Sequence, residues 1–566
     1  MAARLADFVL RRPWAPLAAT LAVLAATTVI AVGAPDHLGI GSLALQGQGH
    51  GPSTRPGRSA DLVIETTGSM PVRSGVYRVA LGVISSQVHS DADVARLRRG
   101  GISANGRSVP LLVDLAPGGD TQQQQAIQRI ESRLDPGPLR VTFGGEIADL
   151  LRARGDLAHD LWKLELLMVP FVALILVGAL GPLPALAPII CAATAVTGSL
   201  AGLRIVDAFA NVSLLGIAPA AVLGVTLGTE AACLVTARVR EEEVTSGGRE
   251  GMARAIGGIG AMWVPLGAAT IAATAGLLTT GLDQASSMVV GCALAALFAV
   301  GSAVLAAPAL LVLIGPRASE ADGEIAGEPR LSRHSRLIAG VLAARAWRVG
   351  AALAAAVALM VAAAAPTLHG TSRPFGAVDL GPGSESLFGD LPLAAAVSAA
   401  ALAVVLVGAF RSARLALVAP LSLLPAAGAC GLAVLVFQDG HLAGTIGQGR
   451  QGALETGAVA SLLGALGAVS ASRAATAIRA SRSERELNLG AVAAAEGAAA
   501  FTVPAATVAT LVGAVAAGAL AGAGLYSARE FGLAVAVGLL LDLLLLRGPL
   551  IAALSRWAGG EARERQ

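Results

Sequence analysis

Long apolar runs dominate the pattern of hydrophobic and polar positions along this chain. A run of about 20 apolar residues is long enough to cross a bilayer as a helix. Such runs lie near residues 14–34, 162–180, 183–203, 212–237, 255–281, 286–315, 346–365, 391–410, 414–437, 453–472, 499–522 and 530–552. The pattern predicts a mainly α-helical membrane protein with about twelve transmembrane helices.

The composition leads to the same class of protein. Of the 566 residues, 55% are hydrophobic and only 14% are charged, whereas soluble domains carry about 25% charged residues. The net charge of +3 is small, and no basic tract interleaved with aromatic residues indicates nucleic-acid binding. The composition therefore excludes an ordinary soluble enzyme and gives no reason to expect a nucleic-acid partner.

The placement of arginines predicts the orientation. If the N-terminus is cytoplasmic, most of the arginines that do not belong to the long polar segment 35–160 lie in inner loops. Arg473 is counted among them, in the loop after the tenth span. The short outer loops hold only Arg204, Arg373, Arg450 and Arg529. Because loops rich in Arg and Lys stay on the cytoplasmic side, we expect a multi-pass protein of the plasma membrane with both termini in the cytoplasm.

One polar segment, residues 35–160, is too long for a simple loop. It contains strand-like runs at Asp61–Thr66, Val109–Leu115 and Leu139–Phe143, and a helix-like stretch at Asp120–Leu134. This order predicts a small α/β domain outside the membrane. The apolar runs divide the remainder into an N-terminal segment with the first span (1–34), spans two to six (161–315), a cytoplasmic linker (316–345), the seventh span (346–365), a short outer loop (366–390), spans eight to twelve (391–555) and a cytoplasmic tail (556–566).

The two halves of the chain resemble each other. The sequence Leu176–Ala179 recurs as Leu406–Ala409, and an Ala-Pro pair follows each at Ala187–Pro188 and Ala419–Pro420. In each half, one span is followed by a longer interval and then by five closely spaced spans. This organisation predicts two parallel six-helix repeats, which is a recurrent plan among transporters.

Two acidic residues lie inside apolar runs. Glu230 follows Thr229 in the fourth run, about 12 Å along a helix from Arg238. Because a charge at mid-bilayer costs about 2.5–3.5 kcal/mol, we interpret Glu230 as a proton-binding group; a neutral acid that ties helices together is the alternative. Asp542 precedes Arg547 in the last run. We expect this pair to be mainly structural, with a supporting role in a proton relay as the alternative.

Four segments carry a family resemblance. Phe8–Trp14, Leu227–Glu242, Val436–Gly440 and Phe531–Arg547 resemble motifs of the MMPL family, within the resistance–nodulation–division (RND) superfamily of exporters. The resemblance covers nearly the whole chain. It implies proton-driven export of a lipid or another hydrophobic compound, two large outer domains, and paired Asp-Tyr residues that relay protons.

The chain departs from the family pattern in two ways. The interval 366–390 stands where family members carry a second outer domain. The paired Asp-Tyr of the fourth span is Glu230-Ala231 here, and the tenth-span equivalents, counted back from Arg473 as Glu230 is from Arg238, are Ala465 and Leu466. Any proton relay would then depend on Glu230, with Thr229, Arg238, Asp542 and Arg547 in support.

Two functions are compatible with these features. The first is a secondary transporter that exports a lipid or another hydrophobic compound by proton antiport, with membrane lipids and that compound as partners. The alternative is a transport-inactive or uncoupled scaffold that acts with a partner transporter or as a homo-oligomer. No enzymatic activity, cofactor or metal is expected, because the single lysine, Lys163, is outside any Gly-Lys-Ser/Thr loop and the seven histidines show no metal-ligand spacing.

Overall fold

The computed structural model describes residues 2–32, 62–67, 70–102, 107–116, 120–135, 137–144, 168–210, 212, 216–246, 248–280, 285–314, 330–345, 355, 382–438, 456–486, 490–520, 526–543 and 550–553. The chain divides into two compact units. The smaller is Gly39–Asp160, and the larger joins Met1–Leu38 to Leu161–Gln566.

The described helices and strands are numbered in chain order. They are α1 (Ala2–Arg11), α2 (Trp14–Val32), β1 (Leu62–Thr67), α3 (Gly75–His89), β2 (Val94–Arg99), β3 (Ser108–Leu115), α4 (Asp120–Arg133), β4 (Arg140–Gly144), α5 (Met168–Leu180), α6 (Leu186–Asp207), α7 (Ile217–Ser246), α8 (Gly248–Thr274), α9 (Ala285–Ile314), α10 (Arg330–Ala344), α11 (Pro382–Phe410), α12 (Val418–Gln438), α13 (Thr456–Glu486), α14 (Ala491–Leu520) and α15 (Tyr526–Leu541). Two short 3₁₀ turns, Ala275–Thr279 and Ala413–Leu417, follow α8 and precede α12.

The smaller unit is an α/β fold. Its four strands form an antiparallel sheet in the order β2-β3-β1-β4, and side chains of α3 and α4 share one hydrophobic core with it. Alternate residues of β3 are buried, as expected for a strand with one face on a core. The Tyr77 hydroxyl donates to the Thr66 carbonyl at 2.7 Å and ties α3 to β1.

The sequence predicts most of this unit. The predicted strands agree with β1, β3 and β4, and the predicted helix agrees with α4, to within about one residue at each end. Helix α3 and strand β2 are not predicted by the sequence pattern described above. The edge strand β2, Val94–Arg99, carries arginines and is largely exposed, so it lacks the alternation that identifies a half-buried strand.

In the part of the chain that the structure describes, the larger unit consists of helices. Six of these helices are long and apolar enough to cross a membrane, namely parts of α2, α6, α7, α9, α11 and α14. Shorter apolar segments lie in α5, in the end of α8 with its 3₁₀ turn, at the start of α12 and in α15. The chain is therefore a multi-pass membrane protein in its helical part, while the count of twelve spans stays a prediction.

Several helices extend beyond the apolar runs that predict them. Helix α11 begins at Pro382, inside the interval 366–390 predicted as an outer loop, and α10 occupies half of the predicted linker 316–345. Helix α13 continues to Glu486, although its apolar run ends near residue 472. The added residues of α13 are mostly Ala, Arg, Ser and Glu, and Ala, Arg and Glu favour helices without being apolar.

Small residues let the helices of the larger unit approach closely. A side chain at Gly228 of α7 would lie 2.8 Å from the Cα atom of Ala192 in α6. Close backbone approach supplies packing where no hydrophobic force acts between helices. The same packing brings α7 and α13 together in the centre of the unit, where the charged residues of both helices meet.

Candidate functional site: a buried charge network

Arg473 is the centre of a buried charge network. It lies in the interior of α13 and is only 3% exposed. Its Nε atom donates to Oε2 of Glu230 at 2.9 Å, and its Nη1 atom donates to Oδ2 of Asp542 at 2.7 Å. Glu230 belongs to α7, and Asp542 follows directly after α15. One guanidinium group therefore joins two carboxylates from different helices.

The remaining guanidinium nitrogen is also bound. Nη2 donates to the Thr510 hydroxyl at 2.8 Å and to the Ala506 carbonyl at 3.4 Å, both in α14. Arginine suits this position because its planar guanidinium presents several donors at once and stays charged at any physiological pH. The network thus connects α7, α13, α14 and the end of α15.

The described trio contains two acids and one base. Glu230, Arg473 and Asp542 are all nearly inaccessible to solvent, and two carboxylates face one guanidinium. Burying an ion pair costs about as much as its attraction returns, so an additional buried charge is unfavourable. A proton bound by either acid would make this trio neutral.

The other predicted site residues lie around this network or apart from it. Thr229 is fully buried, and its hydroxyl has no hydrogen-bond partner among the described residues. Ala231 packs in an apolar cluster with Ala187 and Cys191. Ala465 and Leu466 pack in a second apolar cluster.

Arg238 takes no part in the described network. It pairs with Glu241 at 2.7 Å and with Glu242 at 2.9 Å near the end of α7. Arg547 lies outside the described residues. The partner that the structure shows for Asp542 is Arg473, which the sequence analysis did not consider.

The assignment of Arg473 to an inner loop is wrong. Arg473 lies inside α13, which continues to Glu486, whereas Arg238 lies near the end of α7. Arg238 is partly exposed and pairs with Glu241 and Glu242, whereas Arg473 is buried. The match of Ala465 and Leu466 to the relay positions stays a prediction. The misassignment arose because Arg473 directly follows an apolar run, as flanking arginines do. The small residues that continue on both sides, Ala471 to Ala480, were the signal that the buried helix goes on.

A small cavity adjoins the network on the Asp542 side. It has a volume of about 10 Å³, and Ser422, Ser470, Arg473 and Asp542 supply its polar lining. Ala231, which stands where the family pattern has tyrosine, is buried in the apolar cluster with Ala187 and Cys191. The cavity is lined by Arg473 and Asp542, and Glu230 is not among its lining residues.

A second charged cluster lies where α7 and α13 end. Glu484 of α13 is half-buried there, near Glu241 and Arg238 of α7 and Arg336 of α10. Burial raises the pKa of Glu484 above its ordinary value of 4.5, Glu241 raises it further, and the two arginines oppose the shift. In the described residues, no group of three or more His, Cys, Asp or Glu side chains could hold a metal ion.

These features define a multi-pass helical membrane protein with ionisable groups buried between its helices. The sequence matches the MMPL family over residues 73–366, which is more than half of the chain, and the protein belongs to that family. No curated protein matches the sequence.

Two solved structures show the same fold. A super-membrane-facing form of SecDF has a TM-score of 0.53 at 12% identity, covering 96% of this chain and 99% of SecDF. SecDF from Thermus thermophilus, described as a translocon-associated membrane protein, has a TM-score of 0.52 at 13% identity, covering 95% of this chain and 99% of SecDF. The chain is thus a member of the MMPL family whose fold is similar to that of SecDF.

Proposed function

We propose that this protein is a proton-driven secondary transporter that exports a lipid or another hydrophobic compound across the plasma membrane. The observation that carries the proposal is the trio Glu230, Arg473 and Asp542, buried among four helices with one guanidinium for two carboxylates. Ionisable groups inside a membrane protein mark ion or proton pathways, because burying them without a function is costly.

The proposed mechanism follows from the unequal charges of this trio. When both acids are ionised, Arg473 is held by α7 on one side and by Asp542 on the other. A proton on one acid removes its attraction for the guanidinium, and Arg473 then pairs more strongly with the other acid. The two protonation states would therefore favour different positions of α7 relative to α13, and alternation between two such arrangements is what a transporter requires.

The proposed architecture is two parallel repeats of six spans with both termini in the cytoplasm. Helix pairings recur between the halves: α8 packs on α13 as α14 packs on α7, and α1 packs on α8 as α10 packs on α14. In each half, one helix of the network also packs on two further helices of its own half. In the first half α6 and α9 pack on α7, and in the second half α12 and α15 pack on α13. These recurrences support a duplicated plan in which the network lies at the junction of the halves.

The substrate class rests on the family and on the apolar exterior. Membrane lipids and a hydrophobic substrate are the proposed partners, and the smaller α/β unit, expected outside the membrane, would receive the compound. The interval 366–390 leaves little sequence for a second domain of that size. Export would then pass through one outer domain of this chain.

Proton movement in vesicles tests the proposal. The purified protein would be placed in phosphatidylethanolamine–phosphatidylglycerol vesicles that also contain the lipid extract of the producing cells. An entrapped pH-sensitive dye would record how fast an imposed pH difference disappears. We expect the wild type to dissipate it faster than protein-free vesicles, and Glu230→Gln, which keeps an oxygen acceptor for Arg473, to fall to the protein-free rate.

Glu241→Gln is the matched control, because Glu241 lies on the same helix but is exposed. It should retain the wild-type rate. A wild-type rate for Glu230→Gln would show that no proton relay runs through this residue. If the wild type itself moves no protons, coupling is wrong, and a scaffold that acts with a partner transporter becomes the better interpretation.

A further inference from the structure

The cavity beside Asp542 has the size and lining of a water site. Its volume of about 10 Å³ is enough for about one water molecule. The polar atoms around it come from Ser422 in α12, from Ser470 and Arg473 in α13, and from Asp542. A buried water needs two to four polar partners, and these four side chains can supply them.

Ser470 provides the observation that points to a ligand. Its side chain is 3% exposed, and its hydroxyl has no hydrogen-bond partner among the described residues. Buried hydroxyls are nearly always hydrogen-bonded, to protein or to ordered water. Ser422 donates its proton to the Ala419 carbonyl at 2.8 Å, which leaves its oxygen able to accept. A water between these groups could accept from Ser470 and donate to Ser422 or Asp542.

One face of α13 borders the cavity, and the same face extends beyond it to Ser481. Ala474 and Ala477 also line it, and with Ser470 and Ser481 they follow a spacing of four, three and four residues, which keeps them on one helix face. Ser481 is buried, and its hydroxyl also has no partner among the described residues. The face thus has small side chains in the middle and an unpartnered hydroxyl at each end, over about 16 Å of helix.

The described residues beside Glu230 pack closely, although the buried Thr229 hydroxyl there also has no hydrogen-bond partner among the described residues. Ala231 lies in an apolar cluster with Ala187 and Cys191. Next to Glu230 along α7, Gly228 faces the Cα atom and amide nitrogen of Ala192 at distances that leave no room for a side chain. Helices α6 and α7 therefore leave little space for water on the side of Glu230 that faces α6.

We propose that this cavity is a water site through which Asp542, rather than Glu230, exchanges its proton with water. The proposal rests on the proposed proton-coupled function and names the entry point within it. In the step itself, an O–H bond of hydronium breaks and an O–H bond to the Asp542 carboxylate forms, leaving water and a neutral acid. Arg473 stays charged throughout. After the step, Glu230 is the one of the two acids that still forms an ion pair with it.

Infrared spectroscopy of the reconstituted protein tests this proposal. The C=O band of a protonated carboxyl group would be recorded across a pH series in phosphatidylethanolamine–phosphatidylglycerol vesicles. Asp542→Asn and Glu230→Gln would assign the bands. After transfer to D₂O, the rate at which the Asp542 band shifts reports proton exchange. We expect Ser422→Ala/Ser470→Ala to slow this exchange about tenfold, the factor that loss of one ordinary hydrogen bond gives.

Ser472→Ala is the matched control. Ser472 lies on the same helix, is equally buried, and satisfies its hydroxyl at the Val469 carbonyl, outside the cavity lining. It should leave the exchange rate unchanged. Ser470→Ala alone, the milder substitution, should slow exchange in the same direction, and thermal unfolding in detergent would verify that each variant is folded.

Three outcomes would overturn the inference. Exchange that is unchanged in the folded double variant would exclude the serines from the route. If exchange is slower in Thr229→Val but unchanged in the serine variants, the proton enters at Glu230, and the proposed function stays intact. If Asp542→Asn loses no carboxyl C=O band, Asp542 is not the exchanging acid. If Glu230→Gln loses no such band either, proton coupling through this network is wrong as well.

Discussion

The buried charge network of the larger unit is centred on one cation, Arg473. Arg473 binds both buried acids and two acceptors of α14, and every polar nitrogen of its side chain is used. Removing one partner of a buried ion pair is far more destabilising than replacing the whole group by neutral residues. This difference separates a charge network from ordinary packing, and it can be measured.

We therefore expect Arg473→Met to destabilise the protein by about 3–5 kcal/mol, because two carboxylates stay buried without a counter-ion. Combining it with Glu230→Gln and Asp542→Asn should recover most of this loss, since no buried charge of the trio remains. Unfolding in detergent, followed by circular dichroism, gives the measurement. A triple variant as unstable as Arg473→Met would show that the guanidinium contributes by packing instead.

A second expectation at the residue scale concerns Glu484, outside the apolar part of α13. Its pKa is raised from 4.5, first by burial and then by Glu241. The folded protein thus binds this proton more tightly than the unfolded chain, so the residue favours folding at low pH, and this contribution is lost as pH rises above 4.5. Glu484→Gln does not titrate and should be the more stable protein at neutral pH.

The size of this effect should be below about 1 kcal/mol, because Glu484 is half-exposed and solvent screens it. Melting temperatures of wild type and Glu484→Gln would be compared from pH 4.5 to neutrality. The two should converge at the acidic end and separate toward neutrality. A difference in melting temperature that is the same at every pH would indicate an effect of side-chain packing rather than of charge.

The sequence identified both acids of the network, Glu230 and Asp542, but not the cation that joins them. Glu230 lies inside an apolar run, where a charge is conspicuous. Arg473 stands just after a run, where arginines are common, and only the three-dimensional packing of α7 against α13 shows that it is buried. A pair separated by 243 positions leaves no local pattern in a single sequence.

At the scale of helices and strands, the apolar pattern predicts that a helix or strand is present better than it predicts where that element begins and ends. Helix α9, Ala285–Ile314, matches its apolar run of 286–315 within about one residue, because both of its ends coincide with a change of polarity. Helices α7 and α13 extend beyond their runs because their polar ends still favour helix. Helix α3 was missed although its buried residues Tyr77, Leu81, Ile84 and Val88 follow a helical spacing of four, three and four positions.

Close helix contacts make a sharp expectation at this scale. Gly276 lies in the 3₁₀ turn after α8, and its amide donates to the Ser398 hydroxyl of α11 at 3.0 Å. A Cβ atom at Gly276 would overlap the carbonyl oxygen of Ala394, which is backbone and cannot move aside. Gly276→Ala should therefore destabilise the protein by about 1–3 kcal/mol through overpacking.

Gly301→Ala is the matched control for this substitution. Gly301 lies inside α9, and a Cβ atom there would have no neighbour within 4 Å. Because alanine favours a helix interior by about 1 kcal/mol over glycine, this variant should be as stable as the wild type or more so. Thermal unfolding of both variants in the same detergent would decide. Equal losses at the two positions would mean that the α8–α11 contact is looser than the structure indicates.

For the whole molecule, the arginine distribution and the helix order lead to one topology. Ser132 is an exposed residue of the α/β unit, and His334 is an exposed residue of α10. Five apolar helices lie between them along the chain, α5 to α9. If each crosses the membrane, an odd number of crossings separates the two positions, and they must be reached from opposite sides.

Cysteine labelling of intact cells tests this topology. Cys191, Cys233 and Cys292 are buried, so a Cys430→Ser background should react little with a membrane-impermeant maleimide. In that background we expect Ser132→Cys to be labelled from outside, because the arginine-poor loops face outward. His334→Cys should be labelled only after the cells are opened, since the arginine-rich segment around α10 stays inside. Labelling of both positions in intact cells would mean that one of the five helices does not span the membrane, and the six-plus-six plan would then be wrong.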